Sequence, residues 1–300
     1  MSMKPLVILP QTETQSFRDP CAVWKEGVCH LYYTLVYQKN GFQAFTLAES
    51  VSRDLVHFSS PRVLLPVDIR RNYSSPGNVF LYDGMYYICF QTYPRPNGET
   101  YGNQDSRIYL MHSRDLIAWS EPELIAVKGE MPDSDIGRMI DPYILREADG
   151  SFLCFFKQNG VSISKSFDLK HWDFLRNASC GENVCVLRLD SWYGILHSPA
   201  NGVGLLLSRD LEHFIDCGVS MLGCEEETWA RNRVTAGCLI EHEGENLLFF
   251  HGDNESRYVF GASVALVRHF DSADILPDRP RGLRRRRRRR FRSKLRGGRG

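Results

Sequence analysis

Apolar and polar residues alternate along this chain in short runs, and the apolar spacing of a helix does not persist beyond a turn or two. Five segments have the pattern of strand, tight turn and strand, with flanks rich in Val, Ile, Leu, Tyr and Phe. They are CAVWKEGVCHLYYT, GNVFLYDGMYYICFQ, PYILREADGSFLCFF, NVCVLRLDSWYGILHS and GCLIEHEGENLLFFHG. Four of the turns contain glycine, as EG, DG, DG and EG, which supplies the positive φ that a hairpin turn needs. The pattern predicts five β-hairpins in an all-β protein.

A second repeat alternates with the hairpins. In 50–65, 111–125, 162–175 and 205–222, a strand ends in serine, Asp-Leu follows, and an aromatic residue comes after two more positions. The aspartates are Asp54, Asp115, Asp168 and Asp210. Aspartate accepts backbone hydrogen bonds in turns, and the leucine and the aromatic ring are suited to filling the contact between neighbouring units. We interpret this motif as structural.

Five hairpins, each followed by a further pair of strands, give five units of about four strands. That arrangement predicts a five-bladed β-propeller, which we expect to occupy residues 1–278. The fifth unit should end in its own Asp-Leu-x-x-aromatic segment, yet after 261–276 that segment is only half present.

The net charge of +1 hides an uneven distribution. Residues 279–300, RPRGLRRRRRRRFRSKLRGGRG, hold 13 of the 37 basic residues and no acidic residue, so the remainder has 24 basic and 36 acidic residues. Because an acidic body repels phosphates, nucleic-acid binding is left to the tail alone. A run of seven arginines, 284–290, is typical of disorder. The tail is a nucleic-acid or membrane-surface segment, an extension without function, or the product of a shifted reading frame.

The remaining composition points to a protein without a membrane span. No apolar run reaches 18 residues, and the N-terminus lacks the long apolar core of a signal peptide. Nine scattered cysteines favour reduced thiols and a cytoplasmic location. Because neither a CxxC pair nor HExxH occurs, we predict no metal site of the zinc type.

The innermost strands of a propeller line a central funnel, so residues at the start of each unit can converge. The candidates are Asp19, Ser75 with Asn78, Asp141, Glu182 and the segment 229–237. Three carboxyl groups in one small space repel each other, which raises at least one pKa and allows one group to donate a proton while another accepts one.

Asp-Pro also opens ordinary turns, so a single such pair carries little weight. A structural turn requirement should recur in all five units, and Asp-Pro occurs only at Asp19 and Asp141. We therefore interpret both aspartates as functional. Glu182 follows Gly181 at the matching position of the fourth unit, and we predict the same for it.

The motifs RDP, IDP and GEN, in this order at the starts of units one, three and four, resemble those of the five-bladed propeller glycoside hydrolases. That group includes families 43, 62, 32, 68 and 117, and the phosphorylases and mannosidases of family 130 share the architecture. The resemblance spans most of residues 15–270 and is greatest for family 43. This chain departs from family 43 after the glutamate, where Asn183-Val184 replaces the usual Gly-Pro.

The resemblance to family 43 implies that Asp19 is the general base that activates water. Asp141 would orient the acid and tune its pKa, and Glu182 would protonate the departing glycosidic oxygen with inversion. Family 32 is less similar because its Asn-Asp-Pro-Asn-Gly signature is absent. By that resemblance Asp19 would be a nucleophile, Glu182 the acid/base and Asp141 a transition-state stabiliser.

Further residues are candidates for holding a sugar. Trp24 and Trp229 could stack on a sugar ring or pack between blades. Arg138, Arg231 and Arg233 could bind a sugar hydroxyl, pair with a catalytic carboxylate or form surface ion pairs. His251 suits a core position, although a histidine in the channel of family 43 often contributes to a water or calcium site.

The leading functional hypothesis is a glycosidase that cleaves a small oligosaccharide or a plant-type glycan fragment, with arabinofuranosidase or xylosidase chemistry. Such an enzyme requires no cofactor, and the resemblance allows a structural calcium ion on the propeller axis. A family 130-like phosphorylase would bind phosphate through Arg231, Arg233 and His251. A third hypothesis is a non-catalytic propeller that binds a glycan or a protein.

Overall fold

The computed structural model describes residues 4–39, 42–129, 137–189, 191–254 and 260–271. Within them, five four-stranded antiparallel sheets form a five-bladed β-propeller, which confirms the predicted fold class. The strands are β1 (Leu6–Leu9), β2 (Gln15–Lys25), β3 (Val28–Lys39), β4 (Phe42–Ser52), β5 (Arg62–Val63), β6 (Val79–Tyr82), β7 (Met85–Gln91), β8 (Ile108–Ser113), β9 (Glu123–Leu124), β10 (Ile140–Arg146), β11 (Phe152–Lys157), β12 (Val161–Ser166), β13 (Asp173–Ala178), β14 (Glu182–Leu189), β15 (Trp192–Ser198), β16 (Val203–Ser208), β17 (Phe214–Ser220), β18 (Arg233–His242), β19 (Glu245–Asp253) and β20 (Ala262–Arg268). Blades one to four are β2–β5, β6–β9, β10–β13 and β14–β17, and a 3₁₀ helix covers Thr228–Ala230.

The hairpin turns form where glycine was predicted to permit them. Gly27, Gly84, Gly150 and Gly244 all have φ between +71° and +86°. A side chain at such a φ is strained, so glycine gives these turns without that cost. Each turn joins the first and second strands of its blade in register, as in the pairs Lys25↔Val28 and Tyr82↔Met85.

The fifth blade closes differently from the expectation drawn from the sequence. Its sheet order is β1-β20-β19-β18, so the N-terminal strand supplies the outer strand. Leu6 pairs with Leu266 and Val7 with Ala265. A closing segment after β20 is therefore not needed, which explains why the repeat is only half present there.

The Asp-Leu repeat has the structural role that was predicted. In the first copy, Asp54 Oδ1 accepts hydrogen bonds from the backbone N–H groups of Val56 and His57 at 2.9 and 2.8 Å. Ser52 Oγ accepts one from the N–H of Leu55, whose side chain is buried at φ +62°. The same geometry recurs at the other three aspartates, Asp115, Asp168 and Asp210.

The core consists of apolar layers between adjacent blades. Leu31 and Leu35 of blade one pack with Phe249 and Leu266 of blade five. Equivalent clusters join blades one and two, two and three, three and four, and four and five. Because burial of apolar area stabilises every one of these contacts, the ring of blades is rigid and holds its inner strands around a fixed axis.

Three further observations concern the predictions on composition. All nine cysteines are free thiols, and all except Cys180 are buried. In the part of the chain that the structure describes, no helix has the length and apolar character needed to cross a bilayer. The arginine-rich segment 279–300 lies outside the described residues, so the domain boundary after residue 278 stays a prediction.

Candidate active site

The first strand of each blade is interrupted near its start. The pairing register shifts between Arg18 and Cys21, between Ile140 and Tyr143, between Glu182 and Cys185, and between Thr235 and Cys238. In blade two, the corresponding break lies between the Ser74↔Gln91 bridge and the start of β6. Bulge residues from all five blades, among them Pro20, Pro76, Pro142, Val184 and Gly237, line a cavity of about 290 Å³ on the axis. The bulges thus bring sequence-distant residues together.

The bulges overturn one argument made from the sequence. Asp19, Ser75, Asp141 and Asn183 occupy equivalent bulge positions with φ of +50°, +44°, +52° and +50°. A backbone requirement therefore does recur from blade to blade, and Asp-Pro partly meets it. Because aspartate and asparagine tolerate this conformation better than most residues, the presence of Asp19 and Asp141 at these positions does not by itself indicate chemistry.

The placement of Glu182 also differs from the prediction. Glu182 pairs with Ser198 just before the bulge of blade four, and Asn183 occupies the position that matches Asp19 and Asp141. Asparagine tolerates the left-handed backbone there, at a position where the family 43 pattern has glycine. Glu182 therefore reaches the axis from one residue earlier, and its side chain is longer by one methylene group.

The three predicted carboxyl groups share one open cleft of about 490 Å³ at the axis, which we call the axial cleft. Its lining residues are Arg18, Asp19, Thr34, Phe45, Ser74, Ser75, Gln91, Tyr93, Ile140, Asp141, Glu182, Asn183 and Arg233. They come from all five blades. The convergence of Asp19, Asp141 and Glu182 that the blade positions suggested is thus present in the structure.

Asp19 is held by hydroxyl groups and a buried histidine. Its Oδ2 accepts hydrogen bonds from Thr34 Oγ1 at 2.8 Å and from Ser75 Oγ at 3.1 Å. Its backbone N–H donates to Nδ1 of His251 at 3.1 Å. Burial, together with the nearby charges of Arg18 and Arg233, lowers the pKa of His251 well below its usual value. A neutral imidazole is what allows Nδ1 to act as the acceptor.

Asp141 is the most deeply buried of the three carboxyl groups, with 9% of its surface exposed. Burial raises its pKa to about 7, and the charges of Glu182 and Asp19 add to the rise. Lys157 and a hydrogen bond with Ser75 oppose the shift. Asp141 therefore keeps its proton to a much higher pH than an exposed aspartate does.

Glu182 is held by two cations, one on each carboxylate oxygen. Lys157 Nζ contacts Oε2, and Arg233 Nη2 donates to Oε1 at 2.6 Å. Burial alone would raise the pKa of Glu182, but the two ion pairs outweigh it and lower the pKa below its usual value. The two shifts are opposite, so these surroundings favour the charged form of Glu182 and the protonated form of Asp141.

A second cavity opens on the Glu182 side, with a volume of about 930 Å³, and we call it the outer cleft. It is lined by Lys157, Gly160, Cys180, Gly181, Glu182, Ser198, Pro199, Ala200 and Arg233. Glu182 and Arg233 line both clefts. These two residues therefore form the boundary between the axial cleft and the outer cleft.

Several predicted site residues do not line either cleft. Both polar ends of the Asn78 amide bond to the backbone of Ile144, at 2.8 and 2.9 Å, so Asn78 joins blades two and three. Trp24 stacks on His242 with ring centroids 3.7 Å apart, at the hairpin end of blades one and five. Neither residue is placed to hold a sugar in the axial cleft, which corrects the expectation from the sequence.

In the segment before blade five, Trp229 and Arg231 lie away from both clefts, whereas Arg233 lines them. Trp229 packs on Phe250, and its Nε1 donates to Glu227 at 3.2 Å. Arg231 is exposed and donates to the carbonyl oxygen of Asn254 at 2.8 Å. Of the candidates from 229–237, Arg233 alone appears among the described residues that line the clefts.

The other candidates are placed as follows. Ser75 lines the axial cleft and bonds to Asp19. Arg138 lies over the ring of Tyr93, a lining residue, at 6.0 Å, and its N–H donates to Gln104. His251 is fully buried beneath Asp19, in agreement with the core position that suited it.

The sequence reasoning missed three charged residues. Arg18 pairs with Asp253 at 2.9 Å; Asp253 is 4% exposed and burial raises its pKa. The third missed residue is Lys157, which contacts Glu182. A signal for Lys157 was present, because the second strand of each hairpin carries a polar residue shortly after an apolar run. These residues are Thr34, Gln91, Lys157, Ser198 and His251.

The fold can now be compared with known proteins. No protein-family model and no curated sequence matches this chain. Similar solved structures include a glycosyl hydrolase from Bacteroides ovatus, with a TM-score of 0.65 at 15% identity over 91% of this chain and 92% of that one. An exo-1,5-α-L-arabinanase from a bovine ruminal metagenomic library gives a TM-score of 0.63 at 14% identity, over 88% and 97%.

A family 117 glycoside hydrolase from the marine bacterium Zobellia galactanivorans gives a TM-score of 0.65 at 13% identity, over 89% of this chain and 90% of that one. At these identities the likeness establishes the fold, which is the five-bladed β-propeller found in glycosidases, as the sequence resemblance indicated. Fold alone does not assign chemistry. The activity has to be argued from the cleft.

Proposed function

We propose that this protein is a glycoside hydrolase whose active site is the axial cleft. The observation that carries the proposal is the convergence of Asp19, Asp141 and Glu182 on one cleft, with a raised pKa at Asp141 and a lowered pKa at Glu182. Carboxyl groups whose surroundings separate their pKa values are the means by which glycosidases place an acid and a base together.

In this proposal Asp19 is the general base. Thr34 and Ser75 donate to its Oδ2, which leaves Oδ1 to accept a proton from water. Water then attacks the anomeric carbon while Glu182 gives a proton to the departing oxygen, with inversion. A retaining reaction of the family 32 type, with Asp19 as nucleophile, is the alternative, and the anomeric form of the first product distinguishes the two.

The acid step needs a protonated Glu182, whereas the ion pairs with Lys157 and Arg233 favour its charged form. Asp141, whose pKa is about 7, holds the nearest proton. We propose that Asp141 and Glu182 share one proton, which moves to Glu182 when the ion pairs with Lys157 and Arg233 loosen. This extends the role of Asp141 from tuning the acid to supplying its proton.

The phosphorylase hypothesis is less well supported. Of its three phosphate-binding candidates, Arg231 is exposed and bonds to Asn254, and His251 is fully buried and neutral. The cations of the axial cleft already have carboxylate partners, Asp253 for Arg18 and Glu182 for Arg233. In the axial cleft these two cations face three carboxyl groups, Asp19, Asp141 and Glu182, which disfavours a phosphate ion beside Asp19 and favours water as the nucleophile.

The substrate class that we propose is a small oligosaccharide or a plant-type glycan fragment with arabinofuranoside or xyloside linkages, acted on in the cytoplasm. The test is a screen of the purified protein against chromogenic glycosides, with and without phosphate. We expect turnover without phosphate. Turnover that requires phosphate would identify a phosphorylase, and the absence of turnover on every glycoside would favour the non-catalytic hypothesis.

A further inference from the structure

Lys157 departs from a pattern that blades one, two and five share. Thr34, Gln91 and His251 lie on the second strands of blades one, two and five, each opposite the residue that precedes its own blade's bulge. Each of them also accepts the backbone N–H of the next blade's bulge residue: Ser75 to Thr34, Asp141 to Gln91 and Asp19 to His251. This hydrogen bond stabilises the bulge through a side chain of the adjacent blade.

Blade three has Lys157 at the corresponding position, opposite Ile140. A lysine ammonium group has donors only, so Lys157 cannot accept the N–H of Asn183 in the next blade. Its Nζ instead contacts Glu182. Lys157 therefore lacks the supporting role that its equivalents have in blades one, two and five, and it places a positive charge at the boundary of the two clefts, which points to a role in binding or chemistry.

Lys157 and Arg233 together form a clamp for a carboxylate. Each cation contacts a different oxygen of Glu182, so the pair already holds a carboxylate by both oxygens. A ligand can reach the clamp from solvent, because the side chains of Lys157 and Arg233 are 36% and 20% exposed. Both cations line the outer cleft together with Glu182, where they outnumber the acidic residue two to one. The axial cleft has the opposite balance, with Asp19, Asp141 and Glu182 against Arg18 and Arg233.

We propose that the substrate carries a carboxylate on the leaving-group side, as in a uronic acid, and that Lys157 and Arg233 bind it in the outer cleft in place of Glu182. The inference rests on the proposed function, since it assigns the outer cleft to the part of the substrate that Glu182 releases. A neutral sugar cannot replace a carboxylate on two cations without leaving them uncompensated. An anionic group can replace it, and the displaced Glu182 is then free to take up the proton that its role as acid requires.

The test is isothermal titration calorimetry of the full-length protein at pH 6.5 and low salt, with matched ligands. Galacturonate is compared with galactose, glucuronate with glucose, and inorganic phosphate is the third arm. We expect at least one uronate to bind about tenfold more tightly than its neutral partner, the size typical of one charge-assisted contact. Lys157→Met should remove this preference.

Two further variants sharpen the test. Glu182→Gln should strengthen uronate binding more than the binding of the matched neutral sugars, because it removes the internal competitor for the clamp. Lys165→Met is the matched control, since Lys165 lies on β12 of the same blade and pairs with Asp149 at 3.1 Å. It should leave every affinity unchanged, and the melting temperature reports folding for all three variants.

Equal binding of acidic and neutral sugars, a uronate preference that survives Lys157→Met, or phosphate binding tighter than that of every uronate would overturn the inference. If neutral glycosides are nevertheless hydrolysed, the proposed function stands and the inference alone fails. If no sugar binds and no glycoside is hydrolysed, both fail together.

Discussion

The propeller contains two sets of aspartates, and their surroundings are opposite. Asp54, Asp115, Asp168 and Asp210 repeat in the peripheral turns, where they are exposed. Hydrogen bonds lower the pKa of each: the His57 side chain contributes most at Asp54, and backbone N–H groups contribute most at the other three. Asp141 lies at the axis, where burial and neighbouring carboxylates raise its pKa to about 7. The same side chain fixes a turn at one end of the blade and retains a proton at the other.

The difference shows what repetition means in this fold. A residue that recurs in the same role in four blades meets a need that every blade has. A residue that differs from its equivalents in the other blades, as Glu182 and Lys157 do, serves a function that is specific to one site, here the clefts at the axis. Substitutions at the axis and in the peripheral turns should therefore differ in their effects on turnover and on stability.

Replacing Glu182 with Gln should lower turnover by about a thousandfold or more, because general acid catalysis typically contributes 10²–10⁴-fold. The variant should remain folded, since glutamine fills the same volume. Steady-state kinetics on the best glycoside from the screen, with the melting temperature as the folding control, provide the measurement. Asp168→Asn is the peripheral control and should keep wild-type turnover. Equal losses of turnover in Glu182→Gln and Asp168→Asn would show that the axial and the peripheral acids do not differ in function.

Asp141→Asn should change the pH dependence of stability. The folded pKa of about 7 lies above the unfolded value of about 3.9, so the folded state binds the extra proton between these limits. Wild-type stability should therefore fall as the pH rises from about 4 to 7, and a neutral amide removes this loss. We expect the variant to gain about 2–4 kcal/mol in free energy of unfolding relative to wild type between pH 4 and pH 8.

Urea denaturation at pH 4, 6 and 8 measures this gain. Asp168→Asn again serves as the control, because its exposed carboxyl has a lowered pKa and cannot produce a stability loss in this pH range. A constant difference between Asp141→Asn and wild type at all three pH values would show that Asp141 does not retain its proton.

Asp54→Ala should have a small effect on stability and no effect on turnover. It removes the acceptor of two backbone N–H groups at an exposed turn, and water can replace part of that interaction. We expect the melting temperature to fall by a few degrees, measured by differential scanning calorimetry. A large loss of activity at unchanged stability would indicate that the peripheral turns take part in function.

The sequence predicted the fold well because the fold is repetitive. Four glycine turns and four Asp-Leu turns provide local signals that do not depend on distant contacts. The closure of the fifth blade was missed because Leu6–Leu9 is a short apolar segment whose partner, β20, lies more than 250 residues away. Pairing at that separation leaves no local pattern in the sequence.

The candidate site was predicted in part for the same reason. Asp19, Asp141 and Glu182 lie near recognisable blade starts. Arg18, Lys157 and Asp253 acquire their positions only when different blades meet, as when Arg18 of blade one pairs with Asp253 of blade five. Asn78 and Trp24 were misassigned because their partners, Ile144 and His242, belong to neighbouring blades.

Whether Asp19 acts as a base in the axial cleft is decided by the turnover of the Asp19→Asn variant on the best chromogenic glycoside. Thr34 and Ser75 can still bond to the amide oxygen, so the variant should fold with a melting temperature close to that of wild type. If Asp19 is the general base, kcat should fall by at least about a hundredfold, because asparagine cannot accept a proton from water. Wild-type turnover in a folded Asp19→Asn protein would contradict it.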